Sequence, residues 1–172
     1  MFELLCKNIN QNNLQNKIKP FNLAIFCNDE TCKMNNIDLD GGGGIVSKRY
    51  SDENNLPCNF GGIGLGMNGE EVQSTTIDNL KLENIGFIHC DAQCAENFIF
   101  SKGLNTIRKY RSVIYYENNQ DYGKYLYDNV CNSYPQYQEE SKFDIKKYCM
   151  ETLKYSYYID KFNGGIYTLI IP

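Results

Sequence analysis

Five polar residues follow two short apolar runs: Asp91, Gln93 and Glu96 after "IGFIHC", and Glu117 and Asn118 after "SVIYY". Carboxylates and amides gathered in this way can grip a polar ligand. The same residue types also cap helices or simply face water, and both readings stand open at this point. A second candidate is "GLGMNG", residues 64 to 69, which spells G-x-G-x-x-G. Such a loop holds a dinucleotide's phosphates on exposed N–H groups only when a buried strand enters it and a helix leaves it. Upstream lies polar "SDENNLPCNFGGI" with Pro57, and downstream the β-branched Thr75, Thr76 and Ile77 suit a strand. Asp91 does follow Gly69 at about the spacing of a ribose-binding acid. Both flanks fail nonetheless, so nicotinamide binding through Gly64, Gly66 and Gly69 is set aside and the glycines are predicted to be loop.

The elements that would position the acids can be read from periodicity. Phe2, Leu5, Cys6 and Ile9 repeat at helical spacing, and "NQNNLQN" ends that helix. Residues 18 to 27, "IKPFNLAIFC", read as a strand with Pro20 near its start. "NNIDLDGGGGIVSKRY" alternates around four glycines, as a hairpin with a loose turn would. "IGFIHC" is predicted to be a short buried strand, and Ala95, Ile99, Phe100, Gly103, Leu104 and Ile107 form an apolar helical stripe after it. "SVIYYE" is a further strand, and residues 121 to 131 suggest a helix. Ser141 is placed as the cap of a longer helix, with Asp144 at N3 and a buried face of Ile145, Tyr148, Cys149 and Leu153. "YYID" and "IYTLIIP" flank "KFNGG", an Asn-Gly turn that predicts a hairpin. Strand, helix, strand, helix implies parallel pairing with helices on the faces. Chemistry in such sheets collects beyond the carboxyl ends of the strands, where the five polar residues fall.

Composition narrows the classes. The chain has 172 residues, 42% hydrophobic and 22% charged, which suits one globular domain. No apolar run is long enough for a membrane span and no signal peptide opens the chain, so a soluble, cytoplasmic protein is expected. A net charge of −4 without a basic stripe argues against nucleic acid. Eight cysteines lack any CxxC pair, and the single His89 cannot complete a Cys/His zinc set, so reduced thiols and no metal are expected. Heavy use of Asn, Ile, Lys and Tyr reads first as the mark of an AT-rich genome, ahead of an aromatic binding face.

The stretch "TTIDNLKLENIGFIHCDAQCAENFIFSKGLNTIRKYRSVIYYEN" resembles the second half of FkbM-type S-adenosylmethionine-dependent methyltransferases. The family's T-[LI]-D-x-L box is matched by Thr76, Ile77, Asp78 and Leu80. Its K-x-D-[VA]-[EQ]-G-x-E motif is matched by Asp91, Gln93 and Glu96, and its closing acid by Glu117. "FELLCKNINQNNLQNKIKPFNLAI" is similar to the helix and strand after the family's ribose-binding acid, and "GGIYTLIIP" to its last strand. His89 stands where the family has Lys. Cys94 stands where it has Gly, which puts a side chain on a position expected at φ > 0.

The resemblance implies a fold class: an α/β, truncated Rossmann-like sheet of the class I methyltransferase type. It would be mostly parallel, within one domain over 1–172, with an inserted β-hairpin at about 28–75 and a C-terminal antiparallel hairpin. The family's opening strand, glycine loop, helix and second strand have no counterpart. That leaves "IKPFNLAIF" without its usual neighbour in a 3-2-1-4-5 order. It could pair with the fourth strand, with the inserted hairpin, or with strands from another polypeptide, the last making an obligate complex. The implied activity is methyl transfer from S-adenosylmethionine to a hydroxyl of a sugar or other small acceptor. Asp91 and Glu96 would position acceptor or cofactor, Glu117 would act as base, and Asn22, Leu23 and Gln93 would contact the cofactor. With the cofactor loop missing, the isolated chain is expected to be inactive. The alternative is a non-catalytic binding or structural protein derived from a methyltransferase, virion-associated if the source is a large DNA virus, acting as a homo-oligomer or with a partner chain.

Overall fold

The computed structural model describes residues 2–34, 65–67, 69–118, 124–162 and 166–172. The expected glycine-run hairpin at 35–50, Gly64, the first residues of the helix expected at 121–131 and the Asn-Gly turn at 163–165 lie outside the described residues. The architecture is mixed α/β with two small sheets. Helix α1 spans Phe2–Gln11, and Asn13 follows it in the left-handed region at φ 56°, where Asn is among the best-tolerated residues. Strands β1 (Ala24–Ile25), β2 (Thr31–Lys33) and β3 (Glu71–Thr75) form one sheet in the order β1-β3-β2. Its β1–β3 pair is parallel and its β2–β3 pair antiparallel. The strand expected over 18–27 is therefore only two residues long. Its partner is the inserted segment, the second of the three solutions open to it.

The second sheet holds β4 (Phe87–Cys90), β5 (Val113–Glu117), β6 (Tyr157–Ile159) and β7 (Tyr167–Ile171) in the order β4-β5-β7-β6. The β4–β5 pair is parallel, while β5–β7 and β6–β7 are antiparallel. Over both sheets the antiparallel pairs outnumber the parallel ones, which corrects the expectation of a mostly parallel sheet. The insertion and the C-terminal hairpin both fold back to give antiparallel neighbours, whereas the helix-bearing connection between β4 and β5 gives a parallel pair.

One face of this sheet is buried: Ile114, Tyr116, Thr168 and Ile170 join Phe100, Ile107, Ile145 and Cys149 in the core. The other face carries Phe87, His89, Tyr115, Tyr167, Leu169, Tyr157 and Ile159, all half-buried or exposed. Tyr115 stacks on His89 at 5.1 Å and on Tyr167 at 4.7 Å. Strand β4 is accordingly not the buried strand expected of "IGFIHC". It is an edge strand, and Phe87 is 56% exposed.

The apolar stripe after β4 is broken into α2 (Glu96–Ser101) and α3 (Leu104–Tyr110), with Gly103 between them. An added methyl group at Gly103 would come within 2.9 Å of Ile77 Cδ1, so the break is where the chain before β4 crosses the helix pair. Asp78 of the T-I-D-x-L box supplies the cap that Gly103 lacks. Its carboxylate accepts the Thr106 N–H at 2.8 Å and the Asn105 N–H at 3.2 Å. The box thus has a structural role, satisfying N–H groups that a helix start leaves unpaired. Asp78→Ala is expected to lower stability by about 1–2 kcal/mol in urea titration, with Asp78→Asn retaining part of it.

Helix α4 (Lys124–Ser133) leads through a 3-10 turn (Pro135–Tyr137) into α5 (Gln138–Ser141). Ser141 does not cap the next helix. It closes α5, donating from Oγ to Gln138 O at 2.8 Å. The N-cap is Asp144, which accepts from the Lys147 N–H at 2.9 Å and opens α6 (Ile145–Lys147), continued by a π-helical turn over Tyr148–Thr152. Arg111 ends α3 at φ 49° and ties the layers together. Its Nη1 donates to Leu153 O at 2.7 Å, and the guanidinium lies 4.7 Å over the Tyr155 ring.

Candidate functional site

Strands β4 and β5 run parallel, so their carboxyl ends open on the same side. The loop after β4 turns back through two consecutive left-handed residues, Gln93 at φ 52° and Cys94 at φ 71°. The position expected to be strained by Cys94 does adopt the glycine-favoured region, where an L-residue costs about 1–2 kcal/mol. Glu96 holds this turn: its Oε1 accepts the Ala92 N–H at 2.7 Å. Burial pushes the Glu96 carboxyl up to about 7, with the Asp91 charge adding to it and backbone N–H groups of Ala92, Glu96 and Cys94 opposing it. Burial, reinforced by Glu96 and Glu117, pushes the Cys94 thiol up to about 12, so it stays protonated and non-nucleophilic at neutral pH.

Glu96 and Glu117 line one cavity of about 560 Å³, and both side chains are buried. Asn97 and Asn118, each next to one of these acids, share the wall with Tyr116, Tyr127 and Phe143. These groups are fixed in place. Asn97 Nδ2 donates to Ser141 O at 2.8 Å, the Tyr127 hydroxyl donates to the same carbonyl at 3.3 Å, and Asn118 Nδ2 donates to Thr168 Oγ1 at 3.3 Å. Two ammonium groups reach the rim from α5–α6. Lys142 pairs with Glu139 at 2.7 Å and Lys146 with Asp160 at 2.8 Å. Asp128 and Asp144 complete the polar lining.

The six residues expected to form the site are not all brought together. Asp91 turns away from the cavity. It accepts the Tyr167 hydroxyl at 2.8 Å and Gln93 Nε2 at 3.0 Å, and the Asp91 bond pushes the Tyr167 phenol up to about 12. Asn22 and Leu23 are exposed, immediately precede β1, and line neither the cavity nor the groove beside β4. Gly66 and Gly69 lie in a loop whose N–H groups donate to Lys33 O and Met34 O, and the chain continues into strand β3, not into a helix. Of the residues expected to hold S-adenosylmethionine, Asn22, Leu23 and Gln93 all lie outside the lining of this cavity. Among the described residues no cluster of three metal-ligating side chains occurs, and the seven described cysteines form no disulfide with one another.

Sequence reasoning missed the far wall: Tyr127, Asp128, Ser141, Lys142, Phe143, Asp144 and Lys146. Ser141 and Asp144 carried a local signal, a capping box, but it placed the helix start at Ser141 where the N-cap is Asp144. No helix among the described residues is long and apolar enough to cross a membrane. No protein-family model matches the chain, and neither curated proteins nor solved structures show a match to it.

Proposed function

We propose that this chain is a methyltransferase-derived α/β domain whose cavity at the carboxyl ends of β4 and β5 binds a small, hydroxyl-rich molecule such as a sugar, without methyl transfer by the chain alone. The observation that carries the reading is the burial of Glu96 and Glu117 in one cavity of about 560 Å³ flanked by the amides of Asn97 and Asn118. Hydroxyl groups both donate and accept. A lining of carboxylates, amides, a tyrosine and ammonium groups offers them both kinds of partner, while Tyr116 and Phe143 supply apolar surface for a ring. The helix crossover between parallel β4 and β5, the folded-back C-terminal hairpin and the acids at the strand ends support descent from the methyltransferase type. The position of Asn22, Leu23 and Gln93 outside the cavity lining supports binding over catalysis.

Titration calorimetry of the folded chain tests both halves. S-adenosylmethionine is expected to give no saturable heat. Within a panel of pentoses and hexoses at least one is expected to saturate, and Glu117→Gln to weaken it about tenfold, the loss of one charge-assisted hydrogen bond. Micromolar binding of S-adenosylmethionine would instead show a rebuilt cofactor site, and silence across the sugars would remove the cavity's assignment.

A further inference from the structure

We propose that β4 pairs antiparallel with β4 of a second copy of this chain, joining two four-stranded sheets into one. This holds independently of what fills the cavity. Among the described residues the sheet ends at β4, and no hydrogen bonding joins β4 to β1 of the other sheet. The phase of the free edge is set by the Val113 N–H, which donates to Gly86 O at 2.9 Å. Alternate residues of a parallel ladder bond the same neighbour, so Gly86, Ile88 and Cys90 face β5. Phe87 and His89 direct their N–H and C=O groups outward. The strand's own residues do not blunt this edge: Phe87–Cys90 contains no Lys, no Pro and no charge. Beside it runs a groove of about 470 Å³ whose lining includes Ile25, Leu80, Leu82 and Ile85. Among the described residues no atom lies within 4 Å of a Cβ added at Gly86, so the sheet face there is uncrowded.

The edge is complementary to itself. A two-fold axis through Ile88 sets Phe87 opposite His89 of the second copy, and His89 opposite Phe87. Both have outward backbone groups, so four N–H···O=C bonds form across the axis. Directly opposed residues share a face, so each exposed Phe87 ring meets the other copy's His89 and extends the His89–Tyr115–Tyr167 stack. In the same register Asp91 falls opposite Ile85 and Glu83 opposite Gln93. No like charges meet, although each chain carries a net −4. Such isologous pairing closes at two copies.

Light scattering across a concentration series, with amide hydrogen exchange on the same samples, tests the pairing. The wild-type chain is expected to be dimeric, with the Phe87 and His89 amides protected and losing protection on dilution. Phe87→Lys, at a position already exposed in one copy, is expected to raise the dimer dissociation constant at least tenfold. A monomer at 100 μM or so with fast exchange at both amides would overturn self-pairing and leave the edge to a strand of different sequence. A dimer that persists in Phe87→Lys with those amides unprotected would overturn it too, by placing the interface elsewhere.

Discussion

Phe26→Ala is expected to destabilise the protein by about 3–5 kcal/mol, the range for deleting a fully buried aromatic ring. Phe26 has no exposed surface. Its ring lies 5.3 Å from Phe98 of α2, 5.2 Å from Tyr134 just after α4 and 5.8 Å from Tyr137 of the 3-10 turn that follows. It is the peg by which the small three-stranded sheet is fastened to the rest of the core. Strand β1 contributes only two residues of pairing, and the Lys33 N–H donating to the Tyr134 hydroxyl at 2.8 Å and Asn28 Nδ2 donating to the Tyr137 hydroxyl at 3.0 Å tie the sheet to the same two tyrosines. The variant is therefore expected to lose cooperativity as well as stability, with a smaller urea m-value or two separated transitions. Far-UV dichroism and the near-UV tyrosine signal would report the split, the chain having no tryptophan. Phe21→Ala serves as the control. Phe21 is 42% exposed, and its loss should stay within about 0.5 kcal/mol. Coincident transitions with a small loss in Phe26→Ala would show that the sheet is anchored by something other than this ring.

Stability should fall as pH rises from about 4.5 to 7, and Glu96→Gln should remove most of that slope. The Glu96 carboxyl is pushed from 4.5 up to about 7, mainly by burial. Between those values the folded chain holds a proton that the unfolded chain has released, so folding is favoured by acidity over that range. The contribution is complete below the unfolded value and lost as pH rises through the folded one, up to about 3 kcal/mol in all. Glutamine keeps an oxygen to accept the Ala92 N–H but cannot ionise, so the variant should be as stable as the wild type in acid and more stable at pH 8. Parallel pH profiles for the two proteins would show that Glu96 ionises in the fold without penalty.

The near wall of the cavity was legible because it depends on local rules. An apolar run followed by an acid, twice, with a helix between, places Glu96 and Glu117 at the carboxyl ends of neighbouring parallel strands, and the structure brings them to one cavity. The C-terminal hairpin was legible for the same reason. Asp91 could not be separated from Glu96 by sequence. The two left-handed residues between them decide which acid turns inward; the resemblance points to that conformation at Cys94, but nothing in the sequence signals it at Gln93. The far wall was out of reach because it comes from α4–α6, elements whose position depends on packing. The short extent of β1 was hidden for a related reason. "IKPFNLAIFC" has the composition of a strand, but only a neighbour makes a strand, and the neighbour here is five residues long. Ser141 and Asp144 show how far capping patterns carry. Both residues do cap or close a helix, but the start lies three residues later than the capping box suggests.

The half-naked second sheet also sets the order in which the molecule comes apart. All three residues of β6 are exposed, whereas Ile114 of β5 and Ile170 of β7 have no exposed surface at all. Local opening requires little buried surface to be surrendered at β6 and nearly the full unfolding energy at β5. Amide exchange should thus be fast along β6 and slowest in β5, with β7 between them. The cavity acid Glu117 stands at the end of the strand that opens last, so excursions at the rim of the sheet leave its position undisturbed.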